Sequence, residues 1–240
     1  MVPRTAEALR RGDRTVRIVC FGDSITGVYY HTGGRRAWPE LLGIALERLY
    51  PGARVEVTNA GISGDTTEGG LARMEADVLS RAPDLVVIMF GMNDLVRVPP
   101  AAYQANLMQM VGRCRAAGAE VILCTPNSIY EGDAARPTAG LAAYAETVRQ
   151  VGREAQVPVA DCHAAYEAIR ARDPRAWMGL MSETIHPNMR GHKVFAEEVA
   201  RVISGRDVSL GDVPPLRPGF PHCLERLAGG HPLRVTAMCP

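Results

Sequence analysis

Five short apolar runs, at residues 16–20, 55–58, 85–90, 121–124 and 157–160, stand out from the polar background of the chain. The third, Leu-Val-Val-Ile-Met-Phe, has no alternation of apolar with polar residues, the pattern of a strand covered on both faces. Roughly 30 to 40 residues separate the starts of successive runs, enough for a crossover helix in each interval. Apolar residues recur at helical spacing over 38–49, 70–81, 102–116 and 141–156. In the third of these, Leu107, Met108, Val111 and Cys114 are expected on one face. Gly118 and Pro158 mark helix-to-strand joins, and a last helix is expected from Pro187 to about Ser204. Its inner face would carry Val194, Phe195, Val199, Val202 and Ile203.

A repeating strand–helix order predicts an α/β fold, a five-stranded parallel sheet with helices on both sides. Without an internal repeat or a low-complexity linker, residues 1–204 read as one domain. Residues 205–240 differ in character. They hold six of the seventeen prolines, together with Leu216, Phe220, Leu224, Leu227, Leu233 and Val235. That is too apolar for a free tail, so this extension is expected to pack over its own domain or over a neighbouring subunit in a homo-oligomer.

Composition narrows the field of partners. With 27 basic and 26 acidic residues in 240, and a formal net charge of +1, nothing points to a nucleic-acid or membrane surface. Residues 1–14 are polar, and no stretch approaches the roughly 18 apolar residues of a membrane span. The six cysteines form no C-x-x-C pair. Cys20 and Cys124 fall inside apolar runs, so free thiols are favoured over disulfide or metal roles. A cytoplasmic location is the expectation. Aromatic residues are only 5% of the chain, offering no platform for long glycans, and there is no long apolar lid segment.

In an open parallel sheet, ligands sit beyond the carboxyl ends of the strands. Three loops there are rich in glycine and small polar residues: Gly22-Asp23-Ser24, Asn59-Ala60-Gly61-Ile62-Ser63-Gly64 and Gly91-Met92-Asn93-Asp94. Acyl transfer requires a nucleophile, a base hydrogen-bonded to it, and donors aimed at the developing oxyanion. Alone, Ser24 would read as a turn or capping residue, and Asn93 as a turn residue. Together they suggest Ser24 as nucleophile, with the backbone N–H groups of Ser24 and Gly61 and the Asn93 amide as oxyanion donors. A glycine at 61 would let its backbone approach substrate closely. His186, in Ser-Glu-Thr-Ile-His-Pro-Asn, is the leading base, and Glu183 could accept its imidazole N–H.

These residues carry a resemblance to the SGNH (GDSL-type) hydrolases. The matching blocks are Phe-Gly-Asp-Ser at 21–24, Asn-Ala-Gly at 59–61, Gly-Met-Asn-Asp at 91–94 and Ile-His-Pro-Asn at 185–188. The resemblance implies a flavodoxin-like three-layer α/β/α sandwich and hydrolysis of esters or thioesters with no cofactor and no metal. It implies Ser24 as nucleophile, His186 as base, and Ser24, Gly61 and Asn93 as the oxyanion hole. The family usually has aspartate where this chain has Glu183. The acid is then Glu183, a different carboxylate, or a backbone carbonyl completing a dyad.

Other residues keep two readings. Asp23 is expected to organise its turn, and Asp94 to hold its loop or contact substrate. His163 is the other histidine near the rim, a substrate contact or a rival base. His192 reads as a solvated or capping residue, and His31, His222 and His231 are weaker rivals. Tyr29, Tyr30, His31 and Trp38 either line an acyl or sugar pocket or pack as ordinary core. The expected activity is a serine esterase acting on a small or short-to-medium acyl ester, such as an acetylated sugar, through an acyl-enzyme. The alternatives are a thioesterase or lysophospholipase-type activity and a non-catalytic ligand-binding protein of the same fold. A flavin or nucleotide binder finds no G-x-x-x-x-G-K-[ST] or G-x-G-x-x-G signature.

Overall fold

Among the described residues, every strand ends on the same side of one sheet, and that side carries the polar loops. The structure, a computed structural model, describes residues 2–27, 30–33, 35–130 and 135–213. The strands are β1 (Thr15–Gly22), β2 (Arg54–Gly61), β3 (Leu85–Met89), β4 (Glu120–Cys124) and β5 (Val159–Ala160). They pair in parallel in the order β2-β1-β3-β4-β5. Gly22 is in register with both Gly61 and Met89, so the loops after β1, β2 and β3 leave the sheet level with one another. The strand order reverses between β1 and β3, where the ligand crevice of an open α/β sheet forms.

The helices are α1 (Pro3–Arg11), α2 (Trp38–Leu49), α3 (Thr67–Asp77), α4 (Asp94–Arg97), α5 (Pro100–Ala116), α6 (Thr138–Glu154), α7 (Cys162–Arg172), α8 (Pro174–Met178) and α9 (Met189–Ser204). Side chains of β1 alternate between two cores. Ile18 and Cys20 pack with Leu42, Trp38 and Phe195 of α2 and α9, while Val19 and Phe21 pack with Met74, Tyr103, Leu107 and Val148 of α3, α5 and α6. A side chain such as Phe195, removed completely from water, contributes about 2–3 kcal/mol. The result is an α/β/α sandwich.

Three elements depart from the sequence expectation. The helix expected over 70–81 starts at Thr67 and ends at Asp77, because Thr66 caps it and the chain then tightens into a short 3-10 turn, Leu79–Arg81. Met108 is 37% exposed; the buried face of α5 runs instead through Tyr103, Leu107, Met110, Val111 and Cys114. The fifth strand is two residues long, since Pro158 has no N–H to extend the ladder. No helix among the described residues is long and apolar enough to cross a membrane. Cys20, Cys114, Cys124 and Cys162 are free and buried.

Residues 205–213 run back over α2 and α9. Leu210 is buried, its N–H donating to Glu197 Oε1 at 2.7 Å, and Arg48 donates to Ser209 O at 2.6 Å. Pro214 and everything after it, including Leu216, Phe220, His222, Cys223, His231 and Cys239, lie outside the described residues.

Candidate active site

Ser24 stands on the turn that ends β1. The Thr26 and Gly27 N–H groups both donate to Asp23 O at 3.1 Å, and Ile25 N–H donates to Asp23 Oδ1 at 2.9 Å. Asp23 thus organises the turn as its chemistry suggests, wholly buried, and burial pushes its carboxyl up to about 7. Beneath the turn, Arg73 donates to Gly22 O and Ala60 O at 2.9 Å and to Asp65 Oδ2 at 2.7 Å, fastening the ends of β1 and β2 to the next loop.

From the far end of the sequence comes His186, on a segment held at several points. Ser182 N–H and Oγ–H donate to His186 O at 2.9 and 3.0 Å, and Asn127 Nδ2 donates to Ile185 O at 2.9 Å. Asn188 Oδ1 caps α9 by accepting from Arg190 N–H at 2.8 Å. So fixed, His186 places Nε2 2.8 Å from Ser24 Oγ, while its Nδ1 meets Glu183 Oε1. Glu183 also accepts the His186 backbone N–H at 2.9 Å and the Thr184 hydroxyl at 3.0 Å. The longer glutamate therefore reaches the ring by folding back over its own turn.

The electrostatics favour a neutral ring beside an ionised acid. Burial lowers the His186 pKa below the ordinary histidine value, and Glu183 opposes this only in part. Burial works to raise Glu183, but hydrogen bonds from His186 and Thr184 outweigh it and leave the carboxylate below its usual range. With Nδ1–H donating to the carboxylate, Nε2 is the acceptor that faces the serine hydroxyl.

Asn93 points its amide into the same space. Its Nδ2 donates to Asp65 O at 3.0 Å and lies 3.5 Å from Asp23 Oδ2. Arg136 donates to Met92 O at 3.1 Å and reaches Asn93 Oδ1 at 3.5 Å, which turns the amide nitrogen the other way. Ser24, Asn93 and His186 are 7%, 6% and 8% exposed, a desolvated cluster. Among the described residues, no acceptor meets the Ser24 backbone N–H.

Gly61, the backbone donor expected from the sequence, has its N–H engaged in this structure. Its N–H donates to Asn59 Oδ1 at 3.1 Å, and a Cβ there would meet Gly27 N at 2.2 Å. The absent side chain lets the Ser24 turn close on β2, with Asn59 Nδ2 donating to Thr26 O at 2.9 Å. The open backbone donor on this loop is three residues on. Gly64 has φ +73°, nothing within 4 Å of where a Cβ would stand, and an N–H that no described residue accepts. The glycine-rich loop signalled its presence, but only the ladder register separates the buried glycine from the open one.

The remaining candidates sort by position. Asp94 is fully buried and holds the loop, accepting Thr67 N–H at 2.8 Å and Gly91 N–H at 3.1 Å. His163 stands in the first turn of α7, its N–H on Thr125 Oγ1 at 2.8 Å, with Glu167, Arg149 and Asp161 as its charged neighbours. Contrary to expectation, His192 is not solvated: it is fully buried on the inner face of α9, and its Nδ1 accepts the Trp38 N–H at 3.2 Å. Trp38 is core, packed against Phe195. His31 is 5% exposed and stacks on His186. Tyr29 and the side chain of Tyr30 lie outside the described residues. Arg73 and Arg136 escaped sequence reasoning because the contacts that tie them to the site, to Gly22 O and to Met92 O and Asn93 Oδ1, span 51, 44 and 43 residues.

Known proteins share this arrangement of elements. The chain is 33% identical over 172 residues to an acetylxylan esterase of Geobacillus stearothermophilus, covering 66% of this chain and 76% of that one. It is 39% identical over 108 residues to an arylesterase of Vibrio mimicus, covering 45% and 52%. The crystal structure of a lipase/acylhydrolase from Enterococcus faecalis superposes with a TM-score of 0.69 at 30% identity, over 85% of this chain and 100% of that one. The model of the GDSL-like lipase/acylhydrolase family matches residues 20–194, and the chain belongs to that family of esterases and hydrolases.

Proposed function

We propose that the protein hydrolyses a carboxylic ester of small acyl size, such as an acetylated sugar, through an acyl-enzyme on Ser24. The observation that carries this reading is the continuous hydrogen-bonded line from Ser24 Oγ through the His186 ring to the Glu183 carboxylate. As Oγ attacks the ester carbonyl carbon, its proton passes to His186 Nε2 and the carbonyl π pair moves onto oxygen. The oxyanion is received by the Ser24 N–H, the Asn93 amide and a backbone N–H of the β2–α3 loop. For that third donor, the open Gly64 N–H fits better than the engaged Gly61 N–H. The C–O bond then breaks, His186 gives its proton to the leaving alcohol, and water repeats the sequence on the acyl-enzyme.

The acetyl preference is supported by the likeness to an acetylxylan esterase. The test pairs covalent labelling with turnover. A fluorophosphonate probe should modify Ser24, identified by mass spectrometry, and pretreatment should abolish hydrolysis of p-nitrophenyl acetate and acetylated xylo-oligosaccharide. Labelling elsewhere with activity retained would overturn the mechanism. Faster turnover of long acyl esters or acyl thioesters than of acetyl esters would overturn the substrate class.

A further inference from the structure

Three histidine rings stand face to face behind the serine. His31, in the 3-10 turn Tyr30–Thr32, stacks on His186 with ring centroids 4.5 Å apart and planes 14° from parallel. Its other neighbour is His192, at 5.7 Å and 24°. The column is anchored: His192 accepts the first N–H of α2 and packs near Phe195 of α9. His31, from the segment between β1 and α2, meets two rings from the loop before α9 and from α9 itself, beside the group proposed to change protonation during ester hydrolysis.

The two hydrogen bonds of His186, to Ser24 and to Glu183, both act at the ring's edge. Neither resists a tilt of the ring about the line joining them, and the histidine χ2 torsion is soft. A flat ring pressed on the face resists that tilt and helps to shut water from that side. We infer that His31 is a positioning residue for the hydrolysis, a neutral planar wall that holds the His186 ring in line with Ser24 and faces the imidazolium when it forms.

The inference rests on His186 being the base. A stacked ring suits this task only if it does not take up the proton itself. Burial, with His192 and His186 on either side, lowers the His31 pKa to about 2, and Glu183 opposes this weakly. His192, also desolvated, is lowered to about 3. The charged groups acting on His186 itself are Glu183 from its own loop and Arg136 from the segment before α6. A neutral π face beside a desolvated imidazolium is attractive, whereas a second cation would repel it.

His31→Ala and His31→Phe separate the restraint from simple core filling, with wild type and Ser24→Ala assayed alongside. If wild type hydrolyses p-nitrophenyl acetate while Ser24→Ala and, as a further control, His186→Ala do not, the assignment of nucleophile and base stands, and the His31 result can be read by itself. His31→Ala is expected to lower kcat about tenfold with KM within about twofold, and to move the acid limb of kcat/KM upward as water reaches the ring. His31→Phe, which keeps a flat face, should hold kcat within about threefold of wild type. Equal losses in both variants with an unmoved acid limb would overturn the inference. A measurement on the unaltered protein guards against poor folding of the alanine variant. In 15N-histidine NMR, the His31 ring should stay neutral from pH 4 to 8 while its shifts follow the titration of His186. A His31 ring titrating on its own near 6.5 would also overturn it.

Discussion

The Oγ of Ser24 lies 2.8 Å from Nε2 of His186, although 162 residues separate them. Each is held by its own scaffold, Ser24 by the Asp23 turn at the end of β1 and His186 by the Ser182 and Asn127 contacts ahead of α9. Removing one side chain should leave the other in position. Ser24→Ala is expected to cut kcat for p-nitrophenyl acetate by about 10³-fold or more, with Tm within about 2 °C of wild type. Residues that act as a unit lose activity once only, so Ser24→Ala combined with His186→Ala should be scarcely worse than either alone. Multiplying losses in the double variant would refute a shared mechanism.

Glu183 reaches the ring with one more methylene than the aspartate the family usually has. Glu183→Asp, unable to span from the same backbone position to Nδ1, should lower kcat about tenfold with KM little changed. Glu183→Gln keeps the length but offers a neutral amide that can present N–H to the ring and favour the wrong tautomer. Its loss should be larger, about 10² to 10⁴-fold. Activity in Glu183→Gln equal to wild type would hand the role to another acceptor.

How far the chain could be read beforehand follows from where each residue's partners lie. Strands β1 and β3 are legible because continuous apolar runs need only local sequence. Helix α1 is not, since its buried face, Thr5, Ala6, Ala8 and Leu9, is made mostly of small residues within a segment that is polar overall. Helices α7 and α8 bury little beyond Cys162, Tyr166 and Trp177, so they carry scant periodicity. Ser24, His186 and Asn93 stand out in the sequence because acyl transfer restricts the residue types, and the structure brings Ser24 and His186 to 2.8 Å of each other. A glycine at 61 signals a close approach, but only the parallel register shows that Thr26 and Gly27 lie against it. The burial of His192 is not legible, because its surroundings are set when α2 docks on α9 and its Nδ1 accepts the first N–H of α2, which no local pattern encodes.

Burial gives the acid limb of activity a direction. His186 works as a base only when neutral, and its pKa is lowered from the ordinary value near 6.5 chiefly by desolvation. The rate should therefore hold as pH falls through 6.5 and decline only below it, when the free enzyme's ring takes up a proton. A pH profile of kcat/KM from 4 to 8 measures this. A half-maximal point above 6.5 would contradict a desolvated base.

The two glycines after β2 should respond in opposite ways to alanine. At Gly61 a methyl would lie 2.7 Å from Gly27 Cα and from Thr26 C as well as against Gly27 N, all of it backbone that cannot swing aside. Gly61→Ala is expected to lower Tm strongly and to disturb Ser24 with it. At Gly64 the space is open and only the φ of +73° is unfavourable, a cost of about 1–2 kcal/mol. Gly64→Ala should keep most of its stability while losing kcat through a displaced N–H. Thermal melts and kinetics on both variants separate the cases, and a Gly64→Ala enzyme with wild-type kcat would remove that loop donor from the mechanism.

Asp23 makes the neighbourhood of Ser24 sensitive to pH in a direction unusual for a carboxylate. Wholly buried, with Asp94 and Asp65 nearby, its pKa rises to about 7, against 3.8 in the exposed state; Ile25 N–H and Arg136 counter this only partly. Between these values the unfolded chain gives up the proton while the folded chain keeps it. The folded state then binds more protons, so this group's contribution to stability falls as pH rises from about 4 to 7, by on the order of 4 kcal/mol at most. Below pH 4 both states are protonated, and above 7 both are ionised, so the contribution is flat outside the window. Asp23→Asn keeps an Oδ1 for the Ile25 N–H and cannot ionise. The difference in Tm between variant and wild type should shift in favour of the variant across pH 4 to 7 and then level off. A difference that stays constant over that range would mean that Asp23 is ionised throughout, stabilised by a contact stronger than the 3.5 Å approach of Asn93.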